Sequence, residues 1–202
     1  MDTKLIKSLQ TCPLFLEMTA TEIASTLDAI HYRMIHFNKK DLYALEGDLC
    51  RHTDIIIDGK MTASMTSPSG KYVKVATLTK GNIMTPAYIF ADNCAIPVTV
   101  ESSTEVNMLR ISREDFHTLL NIQEHLRWNF ITLLSNLNAF LTNKLRTLSL
   151  YSVREKLANM LLMEAQRNGS RTFTLDKSRQ DIADRFGIQK FSVIRQLAEF
   201  QM

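Results

Sequence analysis

The sequence has no apolar run close to the roughly 20 residues that a membrane-spanning helix requires. Its first residues also lack a long apolar segment followed by a small-residue cleavage site, the pattern of a secretory leader. These absences predict a cytoplasmic protein. The length of 202 residues suits one large domain or two small ones with a sizeable core.

Cysteine and histidine are few and scattered. Cys12, Cys50 and Cys94 have no Cys-x-x-Cys spacing, so we expect buried free thiols rather than a zinc site or an iron–sulfur cluster. The five histidines form no His-x-His or His-Glu-x-x-His group. We therefore predict neither a metal site nor a cofactor, and the lack of clustered ligands counts against an enzyme built on a barrel.

Charge is distributed unevenly, although the net charge is only +3. Residues 1–120 carry 12 Lys and Arg against 14 Asp and Glu, whereas residues 121–202 carry 12 against 7. The C-terminal part is therefore the candidate for binding a polyanion.

Alternation of apolar and polar residues from Tyr32 to about Ile111 predicts several short strands. Glycines at positions 47, 59, 70 and 81 punctuate this region, and Pro68-Ser69-Gly70 suits a hairpin tip. This pattern predicts a small antiparallel barrel or jelly roll. An irregular stretch, residues 81–98, interrupts the alternation, and both a ligand pocket and a packed corner loop fit it.

The longest helical pattern runs from about Gln123 to Leu148 without proline or glycine. One face can pack on the barrel and another on the same helix of a second subunit, which predicts a dimer; a buried intrachain helix is the alternative. A second apolar stripe, from Leu134 to Leu148, widens the first. The first stripe has the spacing of a coiled-coil seam and defines the predicted dimer interface: Leu126, Phe130, Leu133, Leu137 and Phe140.

Two short helical patterns around Gly187 follow a capping box that begins at Ser178. Similar boxes begin at Thr19, Ser112 and Ser152. A left-handed glycine between short helices predicts a helix-turn-helix, whose second helix would enter the DNA major groove; a helical hairpin with a solvated basic face is the alternative. The residues that face outward on the second pattern are Gln189, Lys190, Phe191, Ser192 and Arg195.

Phe173 and Leu175 alternate with threonines, which predicts one short strand ahead of the helix-turn-helix. We expect an α+β protein in three parts. Residues 1–120 would form an effector-binding β-roll, residues 121–150 a long dimerisation helix with a hinge, and residues 151–202 a DNA-binding domain.

This order of parts resembles the family of the cyclic-AMP receptor protein and the fumarate and nitrate reductase regulator (CRP/FNR). The resemblance covers nearly the whole chain, and its most specific stretches are VREKLANMLL at 153–162 and SRQDIADRFGI at 178–188. It implies a homodimeric transcription regulator with a cyclic-nucleotide-binding-like roll, and it makes RNA polymerase a candidate partner. The family's wing after the recognition helix is not found in these 202 residues, and both a sequence that is cut short and a protein without a wing fit this.

The resemblance implies that Lys190, Phe191, Ser192 and Arg195 touch DNA, and we add Gln189 at the helix start and Arg179 of the preceding helix. Phe191 departs from the polar or acidic residue that is common in the family at this place. A phenyl ring there could meet a thymine methyl group.

The resemblance also implies an effector pocket, at Thr85, Pro86, Ala87, Ile96 and Pro97 of the roll and at Leu141 and Thr142 of the long helix. Relatives that bind cyclic nucleotides have Gly-Glu where this chain has Thr85 and Pro86, and Arg-Ser where it has Ile96 and Pro97. Because no guanidinium stands there to meet a cyclic phosphate, we expect an unknown effector other than cyclic AMP, or none.

Two other functions fit the residues less well. A ligand- or redox-sensing module could act through protein contacts with weak or no sequence-specific DNA binding, and Cys94 would then be the residue of interest. An enzyme on the barrel is the third hypothesis.

Overall fold

The computed structural model describes residues 3–66, 70 and 72–201. They divide into two compact units, one that runs to Asn136 and one that begins at Leu137. The helices are α1 (Thr3–Leu9), α2 (Ala20–Asp28), α3 (Arg113–Ile122), α4 (Glu124–Leu150), α5 (Val153–Asn168), α6 (Arg179–Phe186) and α7 (Lys190–Glu199). The strands are β1 (Tyr32–Phe37), β2 (Leu42–Ala44), β3 (His52–Asp58), β4 (Lys60–Thr66), β5 (Tyr72–Thr79), β6 (Thr99–Ser102) and β7 (Val106–Ser112).

The strands form two antiparallel sheets, which confirms the predicted antiparallel roll. One sheet has the order β1-β7-β3 and the other the order β2-β6-β4-β5. β7 is the centre of the first sheet, because Ile111 lies opposite both Tyr32 of β1 and Thr53 of β3. Of the predicted hairpin tip, Gly70 has a positive φ of 79°, while Pro68 and Ser69 lie outside the described residues.

The two faces of β7 are buried in different clusters. Val106 and Met108 join the cluster inside the roll, with side chains from both sheets. Leu109 and Ile111 join the larger cluster formed with the helices of the first unit. Alternation along a strand buried on both sides produces this arrangement. The long helix enters the larger cluster through Leu126 and Phe130.

The irregular stretch at 81–98 packs closely against the helices. Ile89 is fully buried, and the Phe90 ring stacks on Phe116 with 5.8 Å between centroids. Phe90 also meets Phe130 edge-on at 6.1 Å. This part of the stretch is therefore a packed corner that ties the start of α4 to the roll.

An ion pair is buried in the roll. The carboxylate of Asp54 on β3 is inaccessible to solvent and accepts hydrogen bonds from Nε and Nη2 of Arg110 on β7, the shortest at 2.6 Å. The pKa of Tyr43 is well above its usual range because its hydroxyl is buried, with the charge of Asp54 as a further cause. These three residues form a polar floor among apolar side chains.

The second unit contains α5, α6 and α7, together with the end of α4. The predicted strand at 172–175 is wrong, since these residues have no regular structure. A strand needs a neighbour for its backbone groups, and residues 137–201, all of them described, offer only helices and loops. Leu175 nevertheless packs against the core of this unit.

Three of the four predicted capping boxes form with both reciprocal hydrogen bonds, at Thr19, Ser152 and Ser178. At the fourth, Ser112 accepts from the amide of Asp115, whose carboxylate accepts from the amide of His31 at 3.2 Å. This hydrogen bond joins residues that are 84 positions apart, and it ties the start of α3 to the residue before β1.

Replacing Arg110 with Met should destabilise the first unit by about 3 kcal/mol, because it leaves the Asp54 carboxylate buried without its cation. Arg51→Met, at an exposed arginine nearby, is the control and should change stability by less than about 0.5 kcal/mol. Urea unfolding followed by circular dichroism measures both. The double variant Asp54→Leu with Arg110→Met should recover much of the loss; equal instability of the double and single variants would contradict this account.

Candidate nucleic-acid interface and effector-binding groove

The core of the second unit fixes α6 and α7 against α5. Ile182 and Ala183 of α6 and Val193 of α7 are buried against Leu157 and Met160 of α5. Since the inner face of α7 is occupied, its outer face is fixed in direction.

The start of α6 is fixed by its capping box. The amide of Asp181 donates to Oγ of Ser178 at 3.1 Å, and the amide of Ser178 donates to the Asp181 carboxylate at 2.9 Å. Hydrogen bonds from the Ser178 hydroxyl and amide lower the pKa of Asp181, so this carboxylate keeps its charge at neutral pH. Arg179, a predicted DNA contact, follows at the exposed first position of the helix.

The turn between α6 and α7 depends on Gly187, whose φ is +64°. Its amide donates to the carbonyl of Asp184 at 3.3 Å, and the amide of Ile188 donates to Ala183 at 3.0 Å. These bonds satisfy the last carbonyls of α6 in a left-handed cap. They set the angle at which α7 begins.

The first turns of α7 present the predicted DNA-binding residues. Phe191 is 81% exposed, Lys190 and Arg195 are exposed, and Ser192 is half-buried. Phe191, Ser192 and Arg195 share one face, because residues three and four apart are neighbours on a helix.

The N-terminus of α7 is free of competing negative charge. Gln189 is the N-cap residue and makes no capping hydrogen bond with its side chain. The first turn of α7 contains no acidic residue. The helix dipole therefore adds to the charge of Lys190 and favours an anion at this end.

One positioning contact was absent from the sequence-based predictions. Nζ of Lys177, just before α6, lies 2.6 Å from Oε1 of Glu164 on α5. Lys177 is the largest cause of the lowered pKa of Glu164. The pair ties the loop that leads into α6 to α5. Thirteen residues separate the partners, so no local pattern signals it.

The predicted effector positions of the roll all belong to the 81–98 stretch and differ in burial. Ile96 is buried, Pro86 and Pro97 are half-buried, and Ala87 is exposed. Thr85 has a positive φ of 50°, and its Oγ1 lies 3.1 Å from Sγ of Cys50. The other two predicted residues, Leu141 and Thr142, are exposed on α4 in the second unit.

The first unit also contains an open groove of about 510 Å³ that shares only Ile96 with the predicted pocket. Arg110, backed by Asp54, forms its floor beside Tyr43. Arg51 and His52 form another part of its wall. The remaining lining residues are Ala44, Gly47, Asp48, Leu49 and Cys50.

Arginines and carboxylates both lie at this groove, with Arg51, Arg110 and Asp48 in its lining and Asp54 paired with Arg110. The pKa of His52 is lowered, first by burial and then by Arg110, with Arg51 and Arg33 adding to the effect. The lowered pKa disfavours a charge on His52, so the guanidinium groups of Arg51 and Arg110 supply the positive charge of the groove. Sequence reasoning missed the groove because its arginines lie outside the positions at which relatives bind a phosphate.

The predicted interface residues on α4 fall into two groups. Leu126 and Phe130 are buried within the first unit, since they pack into its larger core cluster. Leu133 and Leu137 are half-buried, whereas Phe140 is 61% exposed. Beyond it, α4 carries further exposed apolar side chains at Leu141, Leu145 and Leu148.

Neither a metal centre nor a membrane span is found in the described parts of the chain. No group of three or more His, Cys, Asp or Glu side chains there could hold a metal ion. None of the described helices is both long enough and apolar enough to cross a bilayer.

Replacing Gly187 with Ala should destabilise the second unit by about 1–2 kcal/mol, because an L side chain is strained at this positive φ. A Cβ at this position would touch nothing within 4 Å, so backbone strain alone causes the loss. Gly187→Asn is the matched control and should lose less, since asparagine tolerates the left-handed conformation. Thermal unfolding measures both; equal losses would contradict the assignment to backbone strain.

Two family models match the chain. The cyclic nucleotide-binding domain matches residues 34–123, and the Crp-like helix-turn-helix domain matches residues 155–202. Together they match well over half of the chain. A search of curated protein sequences found no match.

Solved structures share the fold over most of the chain. The catabolite activator protein of Thermus thermophilus is 20% identical, with a TM-score of 0.62 over 94% of this chain and 86% of that one. The c-di-GMP-responsive global regulator CLP of Xanthomonas campestris is 16% identical, with a TM-score of 0.63 over 88% of this chain and 91% of that one. A CooA mutant of Carboxydothermus hydrogenoformans is 16% identical, with a TM-score of 0.64 over 100% of this chain and 85% of that one.

The matches agree with the order of elements along the chain. A roll that matches the cyclic nucleotide-binding domain is followed by a long helix, and then by a helix-turn-helix with a fixed inner face and a cationic outer face. The chain therefore belongs to the CRP/FNR family of transcription regulators.

Proposed function

We propose that this protein is a homodimeric regulator that binds a pseudo-palindromic DNA site under the control of an effector other than cyclic AMP. The observation that carries the proposal is the outer face of α7. Val193 fixes the helix from within, while Lys190, Phe191 and Arg195 point to solvent. In a helix-turn-helix, such a face meets base edges in the major groove. DNA binding in turn supports the cytoplasmic location, and RNA polymerase is a further partner in this proposal.

The exposed residues of α7 have different roles in this proposal. Arg195 can make two parallel hydrogen bonds to a guanine, and Phe191 can contact a thymine methyl group. Lys190 and Arg179 lie at helix starts and are suited to phosphates, which position the protein without reading sequence. Gln189 and Ser192 supply further hydrogen-bonding groups.

Selection from a random DNA library should enrich one motif, and Arg195→Ala should weaken binding to it by about 1–3 kcal/mol while relaxing preference at one base pair. Lys190→Ala should weaken binding to all sequences alike. It should also reduce, by about one, the slope of the logarithm of the binding constant against the logarithm of the salt concentration. Fluorescence anisotropy at several salt concentrations separates the two effects.

Lys74→Ala is the matched control, because it removes the same charge from an exposed strand position in the first unit. It should leave affinity and preference unchanged. If no motif is enriched, or if Arg195→Ala, Lys190→Ala and Lys74→Ala all bind alike, α7 does not recognise the DNA sequence. The alternative, a regulatory module that acts through protein contacts, would then be favoured.

The dimer in this proposal uses the second half of α4. Leu126 and Phe130 already pack inside the first unit and thus hold the helix in place. Phe140 and Leu145 are exposed by 61% and 65%. Together with Leu141 and Leu148 they form a broad exposed apolar surface, which needs a partner, and a second copy supplies one through a two-fold interface.

Changing Phe140 and Leu145 together to Glu should convert the dimer to a monomer, since like charges would meet across the two-fold axis. Sedimentation equilibrium at micromolar concentration should show the mass fall by half. Leu162→Glu is the control, because Leu162 is equally exposed, at 64%, but lies on α5. A parent protein that is already monomeric, or a double variant that stays dimeric, would contradict this interface.

The groove of the roll is the place where we propose that the effector binds. The predicted positions supply no guanidinium, whereas Arg51 and Arg110 line the groove beside them. These side chains favour a small carboxylate or phosphate. A ligand can control DNA binding only if it prefers one arrangement of the dimer over another.

Thermal-shift titration should show stabilisation by a small anionic metabolite, because binding to the native state raises its apparent stability. The panel should include cyclic AMP, cyclic GMP, short-chain di- and tricarboxylates and apolar metabolites. The shift should shrink in Arg51→Ala and persist in the control Lys74→Ala. Stabilisation by cyclic AMP, or by apolar compounds only, would contradict this assignment.

A further inference from the structure

We propose that Cys50 and Cys94 form a reversible disulfide when the protein meets a peroxide. The two residues lie on segments that pair briefly as antiparallel strands. Leu49 and Ala95 form an isolated bridge. On either side of it, the amide of Cys50 donates to the carbonyl of Cys94 at 2.8 Å, and the amide of Ile96 donates to Asp48 at 2.8 Å. In this register, Cys50 and Cys94 are directly opposite each other.

Directly opposed residues of an antiparallel pair project their side chains to the same side. When a backbone hydrogen bond joins them, their Cα atoms lie about 5.5 Å apart. Natural disulfides span Cα separations of about 4.4–6.8 Å. The expected Cα separation falls within this range, so rotation about the side-chain bonds, with a small approach of the two segments, can bring the two sulfurs into bonding distance.

The two thiols differ in a way that suits a stepwise reaction. Cys50 is buried, and burial, aided by the neighbouring Cys94, raises the pKa of its thiol. Cys94 is only half-buried, so it is the more accessible of the two residues. The accessible sulfur is expected to react first and the buried one second.

The reaction balances with hydrogen peroxide as the oxidant. The Cys94 thiolate attacks one peroxide oxygen, the O–O bond breaks, and hydroxide leaves, so that sulfur becomes a sulfenic acid. The Cys50 sulfur then attacks the Cys94 sulfur, and the S–O bond breaks. The hydroxyl group leaves as water with the proton of Cys50. Two electrons pass from the two thiols to the peroxide, and a dithiol reductant reverses the change.

The disulfide would join the segments around Leu49 and Ala95, which are otherwise held together by backbone hydrogen bonds. Gly47, Asp48, Leu49 and Cys50 all line the groove, as does Ile96 on the opposing segment. The contact at 3.1 Å between Sγ of Cys50 and Oγ1 of Thr85 would be lost. Oxidation would therefore alter the same edge at which we place the effector, although disulfide formation itself does not depend on DNA binding or on an effector.

Cys12 provides an internal control. It is buried in the core cluster, and burial raises its pKa to about 12. It should stay a free thiol under conditions that oxidise the other two.

The test is peptide mapping of the purified, reduced full-length chain after treatment with hydrogen peroxide and alkylation. The chain should lose the mass of two hydrogen atoms and keep one alkylatable thiol. Its map should contain a peptide that joins Cys50 to Cys94. Cys12→Ala should give the same cross-link, whereas Cys94→Ser and Cys50→Ala should give none. Dithiothreitol should restore both thiols.

A thermal-unfolding measurement guards against a cross-link made from unfolded chains. The oxidised protein should unfold roughly 5–10 °C above the reduced protein, since the bond closes a long loop without distorting the fold. Cys94→Ser should show no such shift. A link that involves Cys12, a link between two chains, oxygen addition without any link, or a lowered unfolding temperature would overturn the proposal.

Discussion

The structure of the first unit depends on the burial of β7 on both faces. Val106 and Met108 fill the roll, while Leu109 and Ile111 hold the helices against the outside of the sheet. The strand is central in its sheet, so its backbone groups are also paired on both edges. One strand of seven residues therefore stabilises the inside of the roll, the helices packed on its outside and the start of α4.

The same strand brings one charge into this apolar setting. Arg110 would be costly to bury alone, and the carboxylate of Asp54 on β3 compensates its charge by accepting hydrogen bonds from Nε and Nη2 of the guanidinium group. The consequence is a polar, ion-paired floor beneath an open groove rather than a closed apolar core. In the second unit, the corresponding constraint is the packing of Val193 and Ile182 against α5, which fixes the outer face of α7.

Sequence reasoning succeeded where the determining contacts are local. The capping box at Ser178 and the left-handed turn at Gly187 involve residues within a few positions of each other. It failed where contacts are distant in sequence. The expected strand at 172–175 lacked a partner, and the pair of Asp54 with Arg110 joins residues 56 positions apart. For the same reason, the groove was missed, and the burial of Leu126 and Phe130 in the first unit could not be distinguished from burial in a dimer.

The central claim is that two copies of α7 read DNA together. Hydroxyl-radical footprinting of the full-length chain on a selected DNA site tests it most directly. The account predicts two protected patches on one face of the duplex, with centres about 34 Å, or one helical turn, apart. A single patch, or uniform weak protection with no preferred position, would contradict it.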